Sequence, residues 1–384
     1  MAEARLGPKP SQMSLVDKLG HISWGLIFLT SVIACIGFGM LYSAADGNMD
    51  PWASRQIMRF AVGLIIVLVI AVVDIRIWMR WAYVIYAATL TILVAVESFG
   101  LIGMGAQRWL YFGWFQLQPS ELMKIALVLA LARYFHHITL DDARRPVLLV
   151  APILMLLAPM VLVLRQPDLG TAAMLVVGAG AVFFVSGVAL RYFLIGGGIA
   201  VAGVPIAWQF LREYQRERIL TFLNPDSDPL GAGYHILQSK IALGSGGVFG
   251  RGFMHGTQSH LSFLPEHQTD FIFTMLAEEL GLVGALALIG LYVVLFVYGF
   301  AIALRARNHF GRLLGIGLTT TLFLYVFINI AMVTGLIPVV GVPLPLISYG
   351  GTAMMTVLIS LGLLMCIFVH RDEKINRLPG QGIS

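Results

Sequence analysis

Residues 259–281, read as SHLSFLPEHQTDFIFTMLAEELG, carry Glu266, His267 and Asp270 in a polar run that becomes an apolar helix from Phe271 onward. Asp270 therefore stands at a water–lipid boundary. A carboxylate held where solvent thins has its charged form disfavoured, and ionisable residues in membrane segments are functional candidates by default. An acid so placed can take the proton of an attacking hydroxyl. The competing reading is that Asp270, with Thr269 beside it, only caps the helix.

Three further polar clusters stand at helix ends. Gly105-Ala-Gln-Arg-Trp109 closes a long loop, and Gln118-Pro-Ser-Glu-Leu-Met-Lys124 opens a span. Glu121 and Lys124 are three apart and share a helix face, with Lys124 about a turn inside; a salt bridge between them competes with a bound anion. Arg165-Gln-Pro-Asp-Leu-Gly170 reads as a tight turn, locked by an Arg165–Asp168 pair in the simpler interpretation. Glu266 and Asp270 are four apart and share a face if the helix reaches back that far. Glu278 and Glu279 lie about 12 Å deeper at helical rise and are expected to bond to neighbouring spans or backbone. The run 244–252, GSGGVFGRG, suits either a phosphate cradle or a flexible surface turn. It lacks the Gly-Lys-Ser/Thr of a nucleotide loop, which favours the turn.

The elements that must position these groups are membrane helices. Hydrophobic residues make up 58% of the 384 and charged ones 12%, against about a quarter in soluble domains. Stretches of about 20 apolar residues recur with short polar breaks. The expected architecture is an all-α integral membrane protein of about ten spans, at 22–41, 56–73, 81–96, 119–135, 146–164, 169–188, 192–208, 271–303, 313–335 and 347–369. A cytoplasmic tail (1–20) precedes the membrane domain (21–370), whose long extracytoplasmic loop, 209–270, joins spans seven and eight; a second cytoplasmic tail (371–384) follows. Residues 234–243 read as an amphipathic helix on the outer leaflet. The first apolar run is too long for a signal-peptide core and is expected to be retained. Cys35 and Cys366 fit no metal or redox spacing and read as small core residues.

With the N-terminus inside, the short inner loops are nearly all basic, as the positive-inside rule requires, and an even span number puts both termini in the cytoplasm. The net charge of +5 thus has a topological cause, and nucleic acid is excluded as a partner. Arg55, Arg59, Arg108, Lys124, Arg165, Arg212, Arg216, Arg218, Lys240 and Arg251 fall on the outer side, where topology does not call for them. A carrier working by alternating access keeps its polar site near the midplane. Polar clusters at the outer helix ends point instead to chemistry on a lipid-linked anion, where a diphosphate needs cations and an attacking hydroxyl needs a base.

The segments Gly105–Trp109, Gln118–Lys124, Gln166–Thr171, Leu264–Phe273, Ala277–Gly281 and Pro345–Thr352 together resemble the SEDS family of bacterial cell-wall proteins (shape, elongation, division and sporulation). Residues 256–265 resemble its elongation branch more than its division branch. The resemblance implies a ten-span fold in the cytoplasmic (inner) membrane. It implies a peptidoglycan glycosyltransferase that polymerises lipid II at the outer face during elongation and rod-shape maintenance. It places the family's essential aspartate at Asp270, its functional Trp at Trp109, and its Glu and Lys at Glu121 and Lys124. The implied partners are lipid II, a class B penicillin-binding protein that crosslinks the glycan, and the elongation machinery. The expected mechanism is a single inverting displacement with Asp270 as base. Arg108, Lys124, Arg165, Arg212 and Arg216, with Trp109, Glu121, Glu266 and His267, form the expected substrate-binding set. A divalent cation, Mg or Mn, is the one cofactor considered, with no site marked by spacing. The alternative is a lipid II flippase.

Overall fold

The structure is a computed structural model that describes residues 15–103, 106–111, 116–139, 141–211, 213–224, 232–256 and 268–375. Arg212, Glu266 and His267, named above as candidates, lie outside the described residues. Each expected span has its helix: α2 Trp24–Ala44, α3 Ala53–Val72, α4 Ile75–Phe99, α5 Pro119–His136, α6 Pro146–Arg165, α7 Leu169–Val185, α8 Leu190–Phe210, α11 Ile272–Arg305, α12 His309–Val333 and α13 Gly351–Val369. Shorter helices are α1 Leu15–Gly20, α9 Glu213–Leu223 and α10 Ala232–Ser245. Among the described residues, 7 helices (α2, α3, α4, α6, α11, α12 and α13) are long and apolar enough to cross a membrane, and 169–185 and 190–206 are shorter apolar helices. In α5 the charges of Glu121, Lys124 and Arg133 lower the apolar character, and the helix is buried inside the bundle.

The spine is α12. It is buried on nearly every side and packs against α5, α7, α11 and α13, as a helix apolar all round should. At the other extreme, α8 leaves Leu194, Ile195, Ile199, Val201, Val204 and Ile206 exposed. Its first turn is tied by Phe193 against Phe184 and by the Tyr192 hydroxyl donating to the Arg144 carbonyl at 3.1 Å. Cys366 is buried, donating to the Val73 carbonyl, whereas Cys35 is exposed on α2 and is not a core residue.

Three parts of the fold differ from expectation. The long loop before α5 forms a small antiparallel sheet, β1 Leu101–Gly103, β2 Ala106–Tyr111 and β3 Gln116–Leu117, in the order β1-β2-β3. Strand β2 packs on α4 and α5 and carries Arg108 and Trp109 to opposite faces.

Next, α11 is not one continuous rod. It breaks at Gly281 (φ 69°, ψ −168°). The glycine-rich run is a turn over 246–249, and it docks on the break. Leu282 and Val283 donate their N–H groups to Gly247 and Val248 carbonyls at 2.9 and 3.1 Å, while Arg251 and Gly252 donate to Glu278 and Glu279 carbonyls at 3.0 Å each. Backbone groups freed by the break are thereby satisfied within protein, the condition on irregular backbone at membrane depth. A side chain at Gly250 or Gly281 would overlap the other segment's backbone. Glu278 and Glu279 behave as expected: both are fully buried, and Ser43 of α2 donates to Glu279 Oε1 at 2.5 Å.

Finally, residues 334–350 are irregular up to Gly351, where a helix was expected from 347. The segment buries Leu344, Leu346 and Ile347 and receives a hydrogen bond from the Tyr292 hydroxyl at the Pro345 carbonyl, 2.5 Å. It lies against Gly37, where a Cβ would meet the Ile347 Cα at 2.7 Å. Gly37 is about 10 Å of helical rise inside the end of α2, so this loop dips into the bundle.

Candidate active site

Asp270 lies in irregular chain, described from residue 268, that leads into α11. Phe271, not Asp270, is the N-cap of that helix, and no side chain caps it. What the segment does instead is lean on the dipping loop and on α12. Its three successive carbonyls each accept a hydrogen bond: Gln268 O from the Tyr349 N–H at 2.9 Å, Thr269 O from Ser348 Oγ at 2.5 Å, and Asp270 O from Asn329 Nδ2 at 2.9 Å. Ser348 Oγ also accepts from the Leu344 N–H at 2.7 Å, and Gln56 Nε2 donates to the Ser348 carbonyl at 2.8 Å. The Asp270 carboxylate lies over Gly341 (φ +73°), where a Cβ would stand 3.2 Å from Oδ2. Asp270 itself is half-buried. A partly desolvated acid on a fixed main chain has the placement a general base needs.

One turn away along α12, Tyr325 reaches a second set of charges. Its hydroxyl donates to Glu121 Oε2, and Lys124 Nζ donates to Glu121 Oε1 at 2.7 Å while lying 4.1 Å from the centroid of the Tyr325 ring. Glu121, Lys124 and Tyr325 are each at most 4% exposed. The salt bridge that the sequence left open is present, and its ammonium is turned inward.

Beside it, Asp168 caps α7, accepting from the Thr171 N–H and Oγ1 at 3.0 Å each. Its cationic neighbour is Arg108 at 3.8 Å rather than Arg165, which corrects the expected pair. Arg108 donates through Nε and Nη2 to the carbonyls of Gln166 and Pro167, at 3.0 and 2.7 Å. The sheet supplies this cation from 58 residues away, which local sequence spacing cannot reveal.

Of the remaining candidates, Arg165 is exposed at the end of α6 and Trp109 is half-buried on β2. Arg216 holds the end of α8, donating to the carbonyls of Trp208 and Gln209 at 3.0 and 2.8 Å. Arg59 lies over the Tyr349 ring, 4.9 Å from its centroid, and its Nη1 is buried without a hydrogen-bond partner. Sequence reasoning missed Asn329, Gly341, Ser348 and Tyr349. A signal existed for the first, a lone Asn in the otherwise apolar run 322–333. Among the described residues there is no group of three or more His, Cys, Asp or Glu side chains that could hold a metal ion.

At the opposite end of the bundle, His370 and Glu373 follow α13, both almost fully buried. Burial pushes the His370 imidazole below its ordinary value. Burial also raises the Glu373 carboxyl, helped by Asp74 and opposed by Arg76 and Lys18. The Arg76 Nε stands 3.7 Å from Glu373 Oε2.

Comparison with known proteins adds to this geometry. The family model FTSW_RODA_SPOVE, described as "Cell cycle protein", matches residues 18–373. The chain is 44% identical over 365 residues to peptidoglycan glycosyltransferase MrdB of Escherichia coli (strain K12), covering 94% of this chain and 97% of that one. It is 35% identical over 351 residues to stage V sporulation protein E of Bacillus subtilis (strain 168), covering 88% and 95%. A solved chain described under "Structural coordination of polymerization and crosslinking by a peptidoglycan synthase complex" matches with TM-score 0.81 at 35% identity, over 92% of this chain and 99% of that one. The rod shape determining protein RodA of Thermus thermophilus matches with TM-score 0.70 at 30% identity, over 92% and 98%.

Proposed function

This chain belongs to the FtsW, RodA and SpoVE family, the SEDS proteins, and from that premise we infer how its geometry works. It is a peptidoglycan glycosyltransferase, an all-α multi-pass protein of the bacterial inner membrane. Its substrate in this reading is lipid II, whose apolar tail stays in the bilayer while its diphosphate and sugars meet the Asp270 end of the bundle.

Asp270 is the base. It takes the proton of the acceptor sugar hydroxyl as that oxygen bonds to the anomeric carbon of the donor, and the bond from that carbon to the diphosphate breaks in the same step. An α-linked diphosphate giving a β-linked glycan inverts the centre, so one base suffices and no covalent sugar–enzyme intermediate forms. The observation that carries this assignment is the grip on three consecutive carbonyls, which fixes a half-buried carboxylate at the end of the bundle. Arg59 and Arg165 are the cations assigned to the diphosphate, because Lys124 and Arg108 are engaged within the chain.

The Asp270 end faces the outside of the cell. Supporting this, Arg76, Arg80, Arg133, Arg144, Arg145, Arg305, Arg307, Arg312, Arg371 and Lys374 gather at the other end, where the positive-inside rule puts the cytoplasm. A crosslinking transpeptidase of the class B penicillin-binding type is the proposed partner, supported by the complex described for the solved relative.

The test is glycan formation from purified lipid II by the full-length protein, with and without that partner. Asp270→Asn should lower the rate by roughly 10²–10⁴-fold, the usual contribution of a positioned base. Polymer made at the wild-type rate by Asp270→Asn would remove the residue from the mechanism. Passage of labelled lipid II across liposomes without any polymer would favour the transporter reading.

A further inference from the structure

Asn329 is fully buried in the last turns of α12, and both hydrogens of its amide are in use. Nδ2 donates to the Asp270 carbonyl at 2.9 Å and to the Val342 carbonyl at 2.7 Å. A planar amide is one of the few side-chain groups that can reach two carbonyls from one nitrogen in a fixed plane, so it ties two separate segments to a third. One is the irregular segment that bears the base; the other is the dipping loop, immediately after Gly341. Gly341 in turn passes under the Asp270 carboxylate, and its own N–H lies 3.4 Å from Met332 Sδ on α12. The clamp leaves a mark against itself: Asn329 Oδ1 is buried with no hydrogen-bond partner. A buried acceptor left unmet lowers stability, and such exceptions call for a reason other than packing.

We propose that Asn329 and Gly341 form the seat that positions the Asp270 carboxylate: Asn329 fixes its main chain against the loop, and Gly341 leaves the space its side chain occupies. Both are positioning residues that act through Asp270 and touch no substrate. The proposal rests on Asp270 being the base and adds what sets that base in place.

The experiment uses the full-length protein with its transpeptidase partner and purified lipid II, with rates expressed per folded molecule. Asn329→Leu keeps the volume and loses both donors. It should lower kcat by about 10²-fold, the cost of an ångström-scale misplacement, while leaving KM for lipid II unchanged. Gly341→Ala, which sets a methyl against Oδ2, should show the same split and decides the matter if Asn329→Leu does not fold. Ser239→Ala is the structural control. It removes an equally buried hydroxyl that bonds Thr274 Oγ1 and the Val333 carbonyl, and it should lower the melting temperature with kcat per folded molecule intact.

In an Asp270→Asn background, Asn329→Leu should cost nothing further, because residues acting as one unit are not additive. Wild-type kcat in Asn329→Leu, a change confined to KM, or a full additional loss in the double variant would each overturn the proposal. Full activity in Asp270→Asn alone would instead overturn the assignment of the base, so the two failures are separable.

Discussion

Two charged places lie one helical turn apart along α12, and they are built in opposite ways. At Glu121 and Lys124 the charges face each other at 2.7 Å, sealed under the Tyr325 ring. At Asp270 the main chain is gripped through three successive carbonyls, and the half-buried side chain rests over a glycine. In the first place the fold closes one side-chain charge on another; in the second it holds the main chain that carries the charge. Charge in a membrane helix therefore does not by itself mark the reacting group. The contrast comes from where the hydrogen bonds end.

That contrast can be broken by substitution. The largest expected effect is Lys124→Ala, which leaves Glu121 buried and unpaired and should cost about 3–5 kcal/mol of stability, seen as a sharply lowered melting temperature or failure to accumulate. Glu121→Gln combined with Lys124→Met removes both charges, keeps an acceptor for Tyr325, and should recover most of that loss. If the single and double variants were equally unstable, the pair would not be the structural unit described. Arg108→Ala should cost about 1–3 kcal/mol, since the carbonyls of Gln166 and Pro167 lose charged donors while Asp168 keeps its Thr171 bonds. Arg108→Lys should recover only part of it, a point charge replacing a fork.

The opposite end of the bundle sharpens the comparison with a carboxylate that is neither well paired nor presented. Glu373 in the fold holds its proton to higher pH than the ordinary 4.5, so its contribution is present below that value and is lost as pH rises through the raised one. Glu373→Gln should therefore melt above wild type near pH 7 and lose that advantage below pH 4.5, with His370 common to both proteins. A variant no more stable at neutral pH would contradict the burial cost. The smallest effect belongs to exposed Arg165. Its change to Ala should alter stability by less than about 0.5 kcal/mol while raising KM for lipid II, the mirror image of Lys124→Ala.

The helices were legible because the apolar runs end at basic or polar residues, and among the described residues seven of them are long enough to cross the membrane. Asp270 was legible because a polar run meets an apolar one there. What escaped was whatever depends on distant backbone. The break at Gly281 sits inside an apolar run that reads as continuous helix, and only the docking of residues 247–252 makes it tenable. Ile347 looked like the start of a span, although Pro338, Gly341, Pro343 and Pro345 before it already punctuate the chain. The local reading paired Asp168 with Arg165, and the sheet that delivers Arg108 instead is too short to announce itself.

The most direct measurement is the single-turnover rate of glycan-bond formation per folded molecule at saturating lipid II, taken for Asp270→Asn together with its melting temperature and lipid II affinity. The account predicts a rate lower by roughly 10²–10⁴-fold with both other quantities unchanged. An unchanged rate, or a loss explained by unfolding or weakened binding, would contradict it.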